Sequence, residues 1–171
     1  MSDTAPSDAA AQRARATLNG LRLSGRFDIA ETVAAATERI GEPIRLCGVP
    51  HMPPGIDGLW IRTSTPENLI VHDRAESKER LAVVVAHELG HIVLRHTPDP
   101  VLGGMIRSWP NPTDERVAST IARGRGAIPH HRASYGSVEE IEAEVFARLA
   151  VTGGRRARHR DPVIDRLLAT F

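Results

Sequence analysis

Two histidines four residues apart, with a glutamate directly after the first, stand inside an apolar stretch, "AVVVAHELGHIVLRH", residues 82–96. His87, Glu88 and His91 fit the pattern H-E-x-x-H, and the chemistry this spacing allows is metal-assisted hydrolysis. Residues four apart on an α-helix are neighbours on one face, so two imidazoles at that spacing can converge on one divalent ion. Glu88 lies about 100° round the helix from His87, which disfavours it as a third ligand and suits it to hold a water. A catalytic zinc brings the pKa of such a water to roughly 7, and a carboxylate beside it accepts the proton as the oxygen attacks a carbonyl carbon. The bland alternative is a pair of structural core histidines, because the pattern specifies only three positions. Burial weighs against it: two imidazoles and a carboxylate left unpaired among valines would each be costly, and one ion satisfies all three.

A catalytic zinc takes three protein ligands and leaves a fourth position open. The extended pattern H-E-x-x-H-x-x-G-x-x-H needs glycine at 94 and histidine at 97, where this chain has Leu94 and Thr97. His96 lies five residues past His91, about 140° round the helix, and cannot easily join the same face. The third ligand is therefore sought in the acidic run Glu139, Glu140, Glu142 and Glu144. Carboxylates at a helix start also serve the helix dipole, so their presence alone selects none of them. Glu140 shares a face with the small residues Ala143 and Ala147, which would let its helix approach the histidine helix; it is the first choice, with Glu142 the alternative. For a donor to the charge that develops on the attacked carbonyl oxygen, the preceding loop offers Tyr135, His131 and His130. Solvated loop side chains are the simpler reading of each.

The elements that must position these groups can be read from the pattern. Residues 1–11 are small and polar and are expected to form a disordered arm, followed by a short helix from Gln12 to about Leu23. "FDIAETVAAATERIGEP" predicts a helix capped by Asp28 with Glu31 three residues on, and stopped at Gly41. "PIRLCGV" predicts a strand, and "GLWIRTS" with "NLIVHD", joined through "TPE", a β-hairpin, for a sheet of about three strands. A helix from Glu76 or Ser77 to about His96 is apolar nearly all round and belongs at the centre of the fold. "TPDPVLGGMIRSWPNPTDE" is a proline- and glycine-rich excursion, so that 97–115 is expected as an insertion or lid. "DERVASTIARGRG" predicts a short helix, and "SVEEIEAEVFARLAVTGG" a longer one capped by Ser137 with Glu140. A last amphipathic segment is expected around Val163 to Leu168. Trp60 and Trp109 are expected in core and lid packing, and His72 in a structural or exposed position.

With 171 residues and 41% hydrophobic content, the chain fits one α+β domain over 12–171. A net charge of +1 does not describe a polybasic nucleic-acid binder, and "RRARHR" at 155–160 has no aromatic interleaving, so direct nucleic-acid binding is not expected. Cys47 is the only cysteine, which excludes an intramolecular disulfide and a cysteine-based zinc cluster. With no signal-like or membrane-spanning pattern, the expected location is cytoplasmic, away from membranes. Two imidazoles and a carboxylate suit zinc, and also manganese or iron.

"AHELGHIVLRH" followed by "EEIEAEVFARLA" resembles the ImmA/IrrE family of bacterial metallopeptidases, which carry an H-E-L-G-H helix and a later E-x-E-A-x-x-F-A helix. The resemblance spans about residues 25–150. It implies a zincin-like fold, His87, His91 and Glu140 as metal ligands, Glu88 as catalytic base, and a protein substrate, usually a helix-turn-helix repressor encoded nearby. The run from Gly58 to His96 and "SYGSVEEIEAE" are similar to a compact subgroup described as toxin or regulator components of toxin–antitoxin-like loci. That implies an alternative: a metal-stabilised regulator or toxin that binds a partner, such as an antitoxin, without cutting it. Two features depart from the family pattern: a longer interval from His91 to Glu140, and Arg95 where members often carry histidine.

Overall fold

The computed structural model describes residues 5–98, 112–124 and 137–153. In chain order the elements are α1 (Ala5–Gly20), α2 (Ile29–Ile40), β1 (Ile44–Val49), β2 (Gly58–Arg62), β3 (Asn68–Asp73), α3 (Lys78–Leu94), α4 (Asp114–Gly124) and α5 (Val138–Val151).

Helix α1 begins at Ala5 and not at Gln12, so residues 5–11 of the expected arm are helical. Alanine is the strongest helix former, and α1 lies mainly against α5, with Ala10 and Ala14 buried. Small side chains let the two helices approach closely, so burial replaces the amphipathic signal that the sequence lacks. Helix α2 follows its expected bounds: Asp28 Oδ1 accepts from the Glu31 N–H at 2.8 Å, and Gly41 takes the left-handed conformation (φ 73°) that closes the helix.

The sheet order is β1-β3-β2, with β1 parallel and β2 antiparallel to β3, so the hairpin pairs as expected and the sheet is mixed. Its two faces meet different layers. Trp60 and Ile70 join the main core with residues of α1, α2, α3 and α5. Leu59, Ile61, Leu69, Val71, Cys47 and Val49 form a second core with Val117 and Ile121 of α4. A central strand covered on both sides explains the unbroken Leu69-Ile70-Val71 run, where a half-exposed strand would alternate. Arg45 fastens α4 to β1: it pairs with Asp114 and Glu67, and its Nη2 donates to the Pro112 carbonyl at 2.7 Å. Burial would lower the Arg45 pKa, but the hydrogen bonds and charges of Asp114 and Glu67 outweigh it and raise it. Burial, with the Asp114 charge, pushes the Cys47 thiol up to about 12.

Helix α3 starts at Ser77, whose Oγ accepts from the Arg80 N–H at 3.2 Å, and runs through the domain centre with eleven buried residues. It ends at Leu94, because Arg95 adopts the left-handed conformation (φ 60°, ψ 43°). This α+β arrangement, a three-stranded mixed sheet with the H-E-x-x-H motif on a central helix, is zincin-like. Trp60 is buried, its Nε1 donating to Asn68 Oδ1 at 2.9 Å, and His72 is half-buried with Nδ1 3.0 Å from its neighbour's carbonyl. Trp109, most of the expected 97–115 insertion, "RRARHR" and the Val163–Leu168 segment lie outside the described residues.

Candidate metal centre

Helical spacing alone brings His87 and His91 together, with their Nε2 atoms 3.1 Å apart. The third group arrives from α5. Glu140 sits in its first turn, its own N–H donating to Ser137 Oγ at 3.2 Å, and its carboxylate reaches across to the pair. Oε2 is 3.4 Å from His87 Nε2 and Oε1 is 3.5 Å from His91 Nε2. What permits this approach is Gly90: an added Cβ there would lie 3.1 Å from the Ala143 Cα and 3.3 Å from the Phe146 Cβ. Helices α3 and α5 are in direct backbone contact at that point, which places the start of α5 over the histidine face.

The three donors fit a single divalent ion. Nitrogen and oxygen ligands about 2.0–2.1 Å from a tetrahedral zinc lie roughly 3.3 Å from one another. The imidazole nitrogens are separated by 3.1 Å and each lies 3.4 or 3.5 Å from one of the two Glu140 oxygens, distances of that order, and His87, His91 and Glu140 form a cluster capable of holding a metal. Two imidazoles and one carboxylate suit zinc, and also manganese or iron.

The electrostatics of the cluster divide its members. Burial disfavours the charged form of His87, but its hydrogen bond to Glu140 and the charges of Glu88, Glu140 and Glu144 outweigh burial and raise its pKa. Burial and the neighbouring His87 lower that of His91 to about 3. Burial would raise the Glu140 carboxyl, yet the His87 hydrogen bond and the charges of His91, His87 and His96 hold it below the ordinary range. Within the cluster the proton is thus favoured at His87 over His91.

Glu88 is buried, 8% exposed, on the side of α3 that meets β2. Its carboxylate rests against Gly58, the first residue of that strand: a Cβ on Gly58 would come 2.9 Å from Glu88 Oε1 and 2.6 Å from Val84 Cγ1. Arg80 pairs with Asp57, tying the first turn of α3 to the same point of the chain. Among the described residues β2 is an edge strand, so a sheet edge begins beside the glutamate. The arrangement is that of a metallo-endopeptidase-like catalytic site: two histidines and a glutamate on one face, a second glutamate beside them, and a strand edge next to it.

Glu142, the alternative third ligand, is turned elsewhere. Its Oε2 lies 2.9 Å from His96 Nε2, and Arg13 Nη1 donates to both its oxygens at 3.1 and 2.8 Å. His96 does not join the metal-facing side of the pair, yet it packs against the far side of His91. The left-handed turn at Arg95 ends the helix and folds His96 back, so that its N–H donates to the His91 carbonyl at 3.0 Å and its Nδ1 lies 2.9 Å from His91 Nδ1. The 140° argument holds for a continued helix, and this helix does not continue. A glycine marks such a turn in sequence; an arginine does not. Tyr135, His131 and His130 lie outside the described residues.

No protein-family model, curated protein or solved structure matches the chain. No helix among the described residues is long and apolar enough to cross a membrane.

Proposed function

We propose that this protein is a zinc-dependent endopeptidase that cuts a specific regulatory protein, with His87, His91 and Glu140 as metal ligands and Glu88 as general base. The convergence of His87, His91 and Glu140 from two helices, with separations suited to one ion, carries the reading. When bound, a divalent ion supplies Lewis acidity, acidifying water and polarising a carbonyl. Glu88 accepts the proton of the attacking water and delivers it to the leaving amine nitrogen. His91, with its lowered pKa, stays neutral, with a lone pair left for a ligand bond, and Glu140 contributes negative charge. The outer edge of β2 is suited to an extended substrate segment, which would add as a strand through main-chain hydrogen bonds.

The substrate class rests on the resemblance to the ImmA/IrrE metallopeptidases, whose paired motifs stand in this chain in the same order, His87-Glu88-Leu89-Gly90-His91 and Glu140-Ile141-Glu142-Ala143. On that ground the substrate is a helix-turn-helix repressor or antitoxin encoded nearby. The working domain in this reading takes in the expected 12–171 together with the earlier residues of α1 from Ala5, with 97–115 as an insertion or lid, and acts in the cytoplasm.

Incubating the neighbouring gene product with the zinc-loaded wild type and with Glu88→Gln, followed by intact-mass measurement, tests it. Two fragments from the wild type alone are expected. An uncut partner that co-purifies with both forms would instead establish a metal-stabilised regulator or toxin that acts by binding.

A further inference from the structure

Behind the metal face, on the far side of His91, stands a second set of buried polar groups that the reaction does not use. The His96 side chain is 2% exposed and that of Glu142 is 4% exposed, in the layer where α1, α3 and α5 meet. They are linked in one line: His91 Nδ1 to His96 Nδ1 at 2.9 Å, His96 Nε2 to Glu142 Oε2 at 2.9 Å, and Glu142 to Arg13 Nη1 at 2.8 Å. Arg13 Nη2 donates to the Leu94 carbonyl at 2.8 Å, which fastens α1 to the end of α3.

The donor and acceptor roles along this line are set from its outer end. Glu142 is a carboxylate held by a guanidinium, so it accepts, and His96 Nε2 must carry the hydrogen. With that hydrogen on Nε2 and His91 read as a ligand through its own Nε2, the lone pair of the His96 ring lies on Nδ1. The 2.9 Å contact then requires a hydrogen on His91 Nδ1. His91 is left with its lone pair on Nε2, the atom that faces His87 and Glu140. Histidines that hold a metal commonly donate their other ring hydrogen to an acceptor that fixes tautomer and orientation, most often a carboxylate, a carbonyl or water. Here the acceptor is a second imidazole, with the carboxylate one step further back.

We propose that His96, held by Glu142 and Arg13, is a positioning residue that fixes His91 in the tautomer whose Nε2 lone pair faces the metal site. The proposal rests on the reading of His91 as a ligand. It assigns the second glutamate of the Glu140-Ile141-Glu142 segment a part distinct from the first: Glu140 faces the metal, and Glu142 orients a ligand through His96. It also gives the left-handed turn at Arg95 a purpose, since that turn brings His96 back against His91.

Two measurements test it. Zinc affinity, by competition with a chromophoric chelator, is compared for the wild type, His96→Leu and Glu140→Gln. Removing such an orienting partner costs roughly 10–100-fold in metal affinity, so His96→Leu should fall by that factor and Glu140→Gln by at least as much. Long-range proton–nitrogen NMR of the zinc-loaded wild type should show the hydrogen of His91 on Nδ1, a readout that a role in packing alone would not set and that needs no variant to fold. Equal zinc affinity in the wild type and His96→Leu, with Glu140→Gln weakened, would overturn the proposal and leave the metal centre standing, as would a His91 Nδ1 without hydrogen. A wild type that binds zinc no better than Glu140→Gln would remove the ligand assignment, and the proposal with it.

Discussion

The Glu88 carboxylate and the Gly58 backbone are in contact, so closely that a single methyl group on Gly58 would come 2.9 Å from Glu88 Oε1. The start of the edge strand and the proposed general base therefore share one small space. Gly58→Ala should move the carboxylate and leave the ligand cluster in place. Misplacement by about 1 Å can cost on the order of 100-fold in rate, and a loss of that size at unchanged zinc affinity is the expected result. A variant with full activity would show that Glu88 acts from another position.

Replacing the base itself separates chemistry from binding. Glu88→Gln keeps the shape of the side chain and removes its ability to accept a proton. Turnover should fall by roughly 100- to 10,000-fold while zinc is retained, measured as substrate cleavage beside metal content.

Protons and metal compete at His87. Its raised folded-state pKa contributes stability below the ordinary imidazole value, and that contribution is lost as pH rises through the raised value. Glu140, held low, contributes stability above the ordinary carboxylate value, lost as pH falls through the lowered one. Between those two limits the metal-free protein carries a His87–Glu140 ion pair. Zinc must displace the His87 proton, whereas His91, lowered to about 3, has none to release in that window. Apparent zinc affinity should therefore drop up to about tenfold per pH unit below the His87 value, with close to one proton released on binding, as read by calorimetry in buffers of different ionisation enthalpy.

Contact between α3 and α5 at Gly90 sets where Glu140 arrives. Gly90→Ala would place a methyl group 3.1 Å from the Ala143 Cα, which is backbone and cannot rotate aside. Overpacking of this kind costs about 1–3 kcal/mol, so the urea midpoint should fall, and zinc affinity with it as Glu140 is pushed away.

Cys47 should resist thiol reagents in the folded protein. It is fully buried between the sheet and α4, and burial with the Asp114 charge pushes its thiol up to about 12. Labelling should track global unfolding; rapid labelling under native conditions would mean that α4 leaves the sheet.

The sequence by itself determined whatever depends on neighbours within a turn or two of chain. The i, i+4 spacing of His87 and His91 fixes their convergence once the segment is helical, and the caps at Asp28, Ser77 and Ser137 are decided within three residues. The hairpin from Gly58 to Asp73 is of the same kind, a short turn between two strand-forming runs. Tertiary structure decided the rest. Glu140 and Glu142 stand two apart on one helix, and only the approach of α5 at Gly90 turns the first to the histidines and the second to His96 and Arg13. The packing of α1 against α5 through Ala10 and Ala14, and the place of α4 on the second face of the sheet, come from burial against partners far along the chain. His96 shows the limit most plainly. Continued helical geometry points it away, and the turn at Arg95 returns it to His91, since a chain that leaves a helix is no longer bound by 100° per residue and goes where buried partners satisfy its polar groups.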